Sequence, residues 1–185
     1  MADVSLTGTA LTRDDVVAVA RGGASVDLSA EARITMETSR AFVEDLEASG
    51  EPAYGVSTGF GALATTFIPA ERRRELQRNL VRSHAAGMGP RVEREVVRAM
   101  MLLRARTLAM GRSGIRPMVV DATLALLNAG ITPAVHEYGS LGASGDLAPL
   151  AHAALALLGE GVVEVGGADM PAAAALGAAG IDPIE

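Results

Sequence analysis

The chain has 185 residues, 49% of them apolar, and a formal net charge of -6; it contains no cysteine, and all 16 basic residues are arginine. The acidic balance argues against a nucleic-acid surface. The missing cysteines exclude disulfides and thiolate metal sites, and the missing lysine excludes a pyridoxal Schiff base. No signal-peptide pattern opens the chain, and no apolar run reaches the ~20 residues that span a bilayer. We therefore expect a cytoplasmic protein without membrane contact.

The first fifty residues predict scaffold elements. Val4 to Leu11 alternates weakly, which favours a short strand, and Thr12 can cap a first helix. A second helix, capped by Asp27 or Ser29, should end at Gly50, because apolar residues recur at helical spacing between these positions.

An irregular loop follows, with the sequence Tyr-Gly-Val-Ser-Thr-Gly-Phe-Gly from Tyr54 to Gly61. Taken alone, Tyr54 is interpreted as a packing residue that buries its ring and hydrogen-bonds its hydroxyl. Pro69 then opens a helix whose arginine run predicts a solvated face. His84, near the end of this helix, can be a cation favoured at a helix C-terminus.

Two long apolar segments come next. Pro90 is predicted to start a helix over residues 91–110, and a further helix covers 118–128. Both are apolar on most faces, which is typical of helices inside a bundle. The methionines of these segments are interpreted as core fillers.

The chain then approaches its most informative stretch. Ile131 to Tyr138 is extended, because Pro133 disfavours helix, and His136 and Tyr138 are expected to support the following loop. Gly139 to Asp146 is glycine-rich and leads into an apolar helix over 147–158. A strand over 162–165 and a small helix over 171–179 are predicted beyond it.

Most familiar uses of a Gly/Ser loop fail here on spacing or composition. A nucleophile elbow requires glycine where Asp146 stands, a P-loop requires lysine, and the glycine spacing is not that of a dinucleotide fingerprint. The backbone itself could react. Attack of the Gly145 nitrogen on the Ala143 carbonyl carbon would close a five-membered ring. Loss of water from this ring and from the Ser144 side chain would then leave an exocyclic methylidene. The alternative is an ordinary helix start, with Ser144 or Asp146 as the cap.

Three motifs support the first alternative. Gly-Ala-Ser-Gly-Asp-Leu-Ala-Pro-Leu, residues 142–150, resembles the signature of the histidine and aromatic amino-acid ammonia-lyases. The loop from Tyr54 to Gly61 is similar to that family's tyrosine motif. The pair Ser83 and His84 resembles its histidine-preferring selector of the substrate ring.

The resemblance implies a role for each matching residue. The prosthetic group, 4-methylidene-imidazol-5-one, would form from Ala143, Ser144 and Gly145, without metal or pyridoxal phosphate. Tyr54 would exchange protons with the substrate, and Ser83 and His84 would bind it. Four residues are expected to have supporting roles: Gly61, Gly142, Asp146 and Leu147.

The resemblance also implies a mainly α fold: a helical bundle of the ammonia-lyase and fumarase type with a small mixed N-terminal region. Residues 1–112 would carry the tyrosine loop and the selector, and 113–185 would begin the central bundle; the rest of the family's longer chain is absent. The implied activity converts L-histidine to trans-urocanate in a homotetramer with shared active sites. Two alternatives remain: a tyrosine or phenylalanine ammonia-lyase or aminomutase, and an inactive helical assembly module.

Overall fold

The computed structural model describes residues 4–142 and 145–185. The helices of this part of the chain are α1 (Arg13–Ala20), α2 (Ala30–Ser49), α3 (Ala70–His84), α4 (Arg94–Ala109), α5 (Pro117–Asn128), α6 (Leu147–Leu157) and α7 (Ala172–Ala179). Its strands are β1 (Val4–Leu6), β2 (Val26–Leu28), β3 (Met88–Arg91), β4 (Thr132–Pro133), β5 (His136–Tyr138), β6 (Val162–Val165) and β7 (Ala168–Pro171). The expected mainly helical fold is confirmed. None of the described helices is both long and apolar enough to cross a membrane.

The predicted helix starts near the N-terminus are confirmed by their caps. The Thr12 hydroxyl accepts the Asp15 N–H at 3.1 Å, and the Asp15 carboxylate accepts the Thr12 N–H at 2.9 Å, which closes a capping box. Ser29, rather than Asp27, caps α2. Gly50 ends that helix with a left-handed φ of 73°, a conformation that glycine adopts without strain.

The buried apolar side chains form one continuous core. It begins at the parallel pair β1 and β2, passes between α4 and α5, and reaches α6 and α7. Helix α4 packs against both α1 and α5. The core therefore contains residues from both predicted regions, 1–112 and 113–185, and the division between them stays a prediction.

Arg98 is a buried cation in the middle of this core, with 2% of its surface exposed. Its guanidinium donates to the carbonyls of Val19 at 2.9 Å and Ala20 at 3.3 Å, at the end of α1, and to the carbonyl of Leu127 at 3.0 Å, at the end of α5. Burial lowers the pKa of Arg98. The carbonyl ends of two helices carry partial negative charge, so they stabilise this guanidinium in the core.

The predicted helix start at Pro90 is wrong. Pro90 lies in β3, which pairs antiparallel with β5, and α4 begins only at Arg94. Two residues after Pro90, the Val92 N–H donates to the Val135 carbonyl at 3.0 Å instead of entering a helix. Strand β7 was not predicted either; it forms a hairpin with β6 and a three-stranded sheet with β4.

The interpretation of the arginine run in α3 as a solvated face is wrong at Arg73. Only 11% of this side chain is exposed. Its guanidinium donates to Glu47 at 2.8 Å and to the Ile68 carbonyl at 3.0 Å, and it lies 5.5 Å from the centre of the Phe67 ring. Arg73 thereby fixes the start of α3 against α2.

Candidate active site

A cavity of about 710 Å3 opens between α3, α4, α5 and α6, beside the loop of residues 54–61. It is lined by five of the residues that the sequence singles out: Tyr54, Gly61, His84, Gly145 and Leu147. These residues come from three distant parts of the chain, which meet because α3 packs along α6. Ser83 and Gly142 do not line this cavity. Ala143 and Ser144 lie outside the described residues.

The tyrosine loop, residues 54–61, is built around Ser57. The Ser57 side chain is fully buried; its hydroxyl donates to the Glu51 carbonyl at 2.7 Å and accepts the Ala53 N–H at 2.8 Å. Gly55 has φ of +72°, and a Cβ there would lie 2.7 Å from the Phe60 ring. Glycine is therefore required at this position.

Tyr54 itself lies at the surface of this loop. Its ring is edge-on to Phe60, with centroids 5.6 Å apart and planes at 84°. The side chain faces the cavity and the residue is 65% exposed. Within the described part of the chain, no residue hydrogen-bonds its hydroxyl. The interpretation of Tyr54 as a buried packing residue is therefore wrong, and its phenol is accessible from the cavity.

His84 ends α3 with its ring held by the preceding turn. Its Nδ1 lies 2.8 Å from the Leu80 carbonyl oxygen and 3.0 Å from Ser83 Oγ. A carbonyl can only accept, so Nδ1 carries the proton. In the neutral ring, Nε2 is then the acceptor, and the residue lines the cavity. The Ser83 hydroxyl donates to the same Leu80 carbonyl at 3.0 Å. Ser83 therefore contacts the His84 ring rather than the cavity.

Asp146 precedes α6, but its carboxylate does not cap that helix. It accepts the Ser140 hydroxyl and, at 2.9 Å, the Leu141 N–H. The Ser140 hydrogen bond first, and then the Leu141 amide, lower the pKa of Asp146. The interpretation of Asp146 as a helix cap is wrong, since its carboxylate closes the loop that precedes the helix.

Glycines with positive φ stand on either side of residues 143 and 144. Gly142 and Gly145 have φ of +67° and +77°, and a Cβ at either position would meet none of the described atoms within 4 Å. Positive φ favours glycine. The backbone conformation therefore accounts for both glycines, and a side chain at Gly145 would be disfavoured.

The sequence interpretation missed Arg104. This residue lines the main cavity and also an adjoining cavity of about 620 Å3, which Gly145 and Asp146 border too. Among the residues that the structure describes, none forms a hydrogen bond or ion pair with Arg104. The available signal was a pair of arginines, Arg104 and Arg106, in the mostly apolar second half of α4.

Comparisons with known proteins identify the family of this chain. The profile of the aromatic amino acid lyase family matches residues 11–185. Histidine ammonia-lyase from Streptomyces griseus is 60% identical over 183 residues, which cover 98% of this chain and 35% of that protein.

Solved structures give the same result. Histidine ammonia-lyase from Trypanosoma cruzi superposes with a TM-score of 0.90 at 36% identity, over 99% of this chain and 35% of that one. Tyrosine aminomutase from Streptomyces globisporus superposes with a TM-score of 0.93 at 42% identity, over 100% and 34% of the two chains. The chain thus spans about a third of the length of its relatives. It belongs to the aromatic amino acid lyase family.

Proposed function

We propose that the protein acts as a histidine ammonia-lyase, which eliminates ammonia from L-histidine and gives trans-urocanate. The observation that carries the proposal is the cavity on which Tyr54, His84 and Gly145 meet. The 60% identity to histidine ammonia-lyases from Streptomyces supports histidine as the substrate. The 42% identity to a tyrosine aminomutase, above the 36% to the Trypanosoma cruzi histidine ammonia-lyase, keeps the aminomutase as the alternative. Because the chain spans about a third of the length of its relatives, the activity is proposed for the complete polypeptide.

The prosthetic group would be 4-methylidene-imidazol-5-one, formed from Ala143, Ser144 and Gly145. When present, it supplies a strong electrophile, which no ordinary side chain provides and which makes an amine a better leaving group. The positive φ of Gly142 and Gly145 and the carboxylate of Asp146 support this assignment. The role of Asp146 is to hold the backbone in the conformation from which the ring closes.

His84 would recognise the substrate ring. Its Nε2 is the free acceptor of the neutral side chain, and the N–H of a substrate imidazole is a matching donor. Ser83 would orient the His84 ring by its contact with Nδ1. A phenyl ring has neither an N–H nor an O–H to offer, so binding phenylalanine would leave this acceptor without a partner.

Tyr54 would act on the substrate's β-carbon. Its phenolic oxygen, once its own proton has passed to solvent, would take the β-proton; the electron pair of that C–H bond then forms the double bond, and the C–N bond breaks to release ammonia. The accessible hydroxyl supports this role. Arg104 adds a positive charge to the cavity wall, which favours the substrate carboxylate over its ammonium group. We also propose that the protein works in the cytoplasm as a homotetramer with shared active sites.

The test uses the complete polypeptide, with any residues beyond Glu185 present. Its intact mass should be two waters below the value from its sequence, and it should release urocanate from histidine, followed by ultraviolet absorbance. His84→Leu should weaken histidine turnover about 10- to 100-fold and raise the relative turnover of phenylalanine. Faster turnover of tyrosine or phenylalanine by the unmodified protein would support the aminomutase or aromatic-lyase alternative, and an unmodified mass without product would support an assembly module.

A further inference from the structure

His152 joins the two halves of the candidate site through one hydrogen bond. Its Nε2 accepts the Gly87 N–H at 3.0 Å. Gly87 lies three residues after His84, and His152 lies on α6, the helix that follows the Gly139–Asp146 loop. The bond therefore links the segment after α3, the helix that ends at His84, to α6, the helix that follows the proposed electrophile.

The same contact point is packed too closely for side chains. A Cβ on Gly87 would lie 3.0 Å from His152 Nε2, and a Cβ on Gly139 would lie 3.1 Å from the Gly87 Cα and 3.0 Å from the Ala148 Cβ. Gly87 thus contacts the start of the Gly139–Asp146 loop and the side of α6 at once. A shift of Gly87 would change the position of His84 relative to that loop.

The hydrogen bond requires the neutral His152 ring, since Nε2 must offer a lone pair. Partial burial first, and then the neighbouring His136, lower the pKa of His152 and so favour that form. The two rings lie 5.5 Å apart. His136 is itself held elsewhere, because its Nδ1 lies 2.8 Å from the Gly89 carbonyl.

We propose that His152 is a positioning residue for substrate selection: by holding the Gly87 amide, it fixes His84 at the distance from the Gly139–Asp146 loop that suits histidine. This inference rests on the proposed function. His152 acts through Gly87 and lines neither of the two cavities.

The test compares two substitutions in the complete polypeptide. His152→Leu removes the acceptor, and we expect KM for histidine to rise about ten-fold with kcat nearly unchanged. His152→Gln keeps an oxygen acceptor near the position of Nε2 and should restore most of the KM. Both variants should still show the mass loss of ring formation, because the reacting residues are untouched. The Gly87 amide proton should exchange with solvent faster in His152→Leu and slowly again in His152→Gln.

Asn128 offers a matched control. Its Oδ1 accepts the Val26 N–H at 2.9 Å, another bond from a helical side chain to the backbone amide of a distant segment, and Asn128 lines neither cavity. Asn128→Ala should lower the melting temperature and leave KM unchanged. A wild-type KM in His152→Leu, or a loss of folded protein with no change in KM, would overturn the proposal. If the unmodified protein fails to deaminate histidine, the proposed function fails instead, and Gly87 exchange still shows whether His152 holds this amide.

Discussion

The two glycine-rich loops of the candidate site are held in opposite ways. In the tyrosine loop, the Ala53 carbonyl accepts the N–H groups of Val56, Ser57 and Thr58, and Ser57 is fully buried. In the Gly139–Asp146 loop, two side chains hold the described backbone: the Asp146 carboxylate accepts the Leu141 N–H, and the Ser140 hydroxyl accepts the Gly142 N–H. Leu141 is 89% exposed. The first loop has to position the Tyr54 side chain, and its backbone is held by hydrogen bonds to its own neighbouring residues. The second is proposed to react through its backbone, which requires amide groups that are not already bonded.

The largest effect should come from Ser144→Ala, which removes the hydroxyl that leaves when the methylidene forms. We expect complete loss of histidine deamination and an intact mass without the loss of two waters. Tyr54→Phe is the control for mass, since it should still lose both waters. Full activity in Ser144→Ala would refute the proposed reactive role of the second loop.

Tyr54→Phe tests the side chain that the first loop presents. Loss of a proton-transferring group should lower kcat by about 10²–10⁴-fold. The melting temperature should stay unchanged, because the described residues form no hydrogen bond with this hydroxyl. Steady-state kinetics and a thermal melt together check the prediction; a less stable protein with normal kcat would contradict it.

Ser57→Ala tests whether the first loop is fixed from within. The substitution leaves the Ala53 N–H and the Glu51 carbonyl without their buried partner, which should lower the free energy of unfolding by about 1–3 kcal/mol. For a chain of this size, that corresponds to about 2–4 °C in the melting temperature per kcal/mol. Ser49→Ala is the control: its hydroxyl donates to the Leu46 carbonyl at the exposed end of α2 and should change stability by less than about 0.5 kcal/mol.

Asp146→Asn should have the smallest effect, because it alters the hold on the second loop without touching the reacting atoms. We expect ring formation, followed by mass after synthesis, to slow about ten-fold with the charge-assisted bonds lost. The pKa of Asp146 is lowered from 3.8, so its carboxylate bonds are present above that value and are lost only as the pH falls through the still lower folded pKa. Ring formation should therefore not vary between pH 5 and 8 on account of Asp146. An equal rate in the variant would contradict the holding role.

Local signals predicted much of the scaffold. Thr12, Ser29 and Gly50 mark helix ends through bonds and backbone angles that involve only near neighbours, so they can be identified in the sequence. Pro90 was misleading, since a proline suits both a helix start and an edge strand, and the pairing of β3 with β5 decides between them.

The site was predicted residue by residue through motifs, but its assembly was not. That Tyr54, His84 and Gly145 border one cavity depends on the packing of α3 along α6. The bond between Gly87 and His152 spans 65 positions and has no local pattern. Arg104 was overlooked because its place on the cavity wall depends on the folding of the chain.

Arg98 hydrogen-bonds the C-terminal carbonyls of both α1 and α5, and this arrangement affects how the protein unfolds. If either helix unfolded, the guanidinium would lose the hydrogen bonds to its carbonyls while it stayed buried against the other helix. A buried charge without its partners is strongly destabilising. Partial opening of the N-terminal elements is thereby made costly, and loss of structure should be all-or-none across this end of the protein. Arg98→Met, which keeps the bulk but removes the donors, should convert one sharp thermal transition into two broader ones.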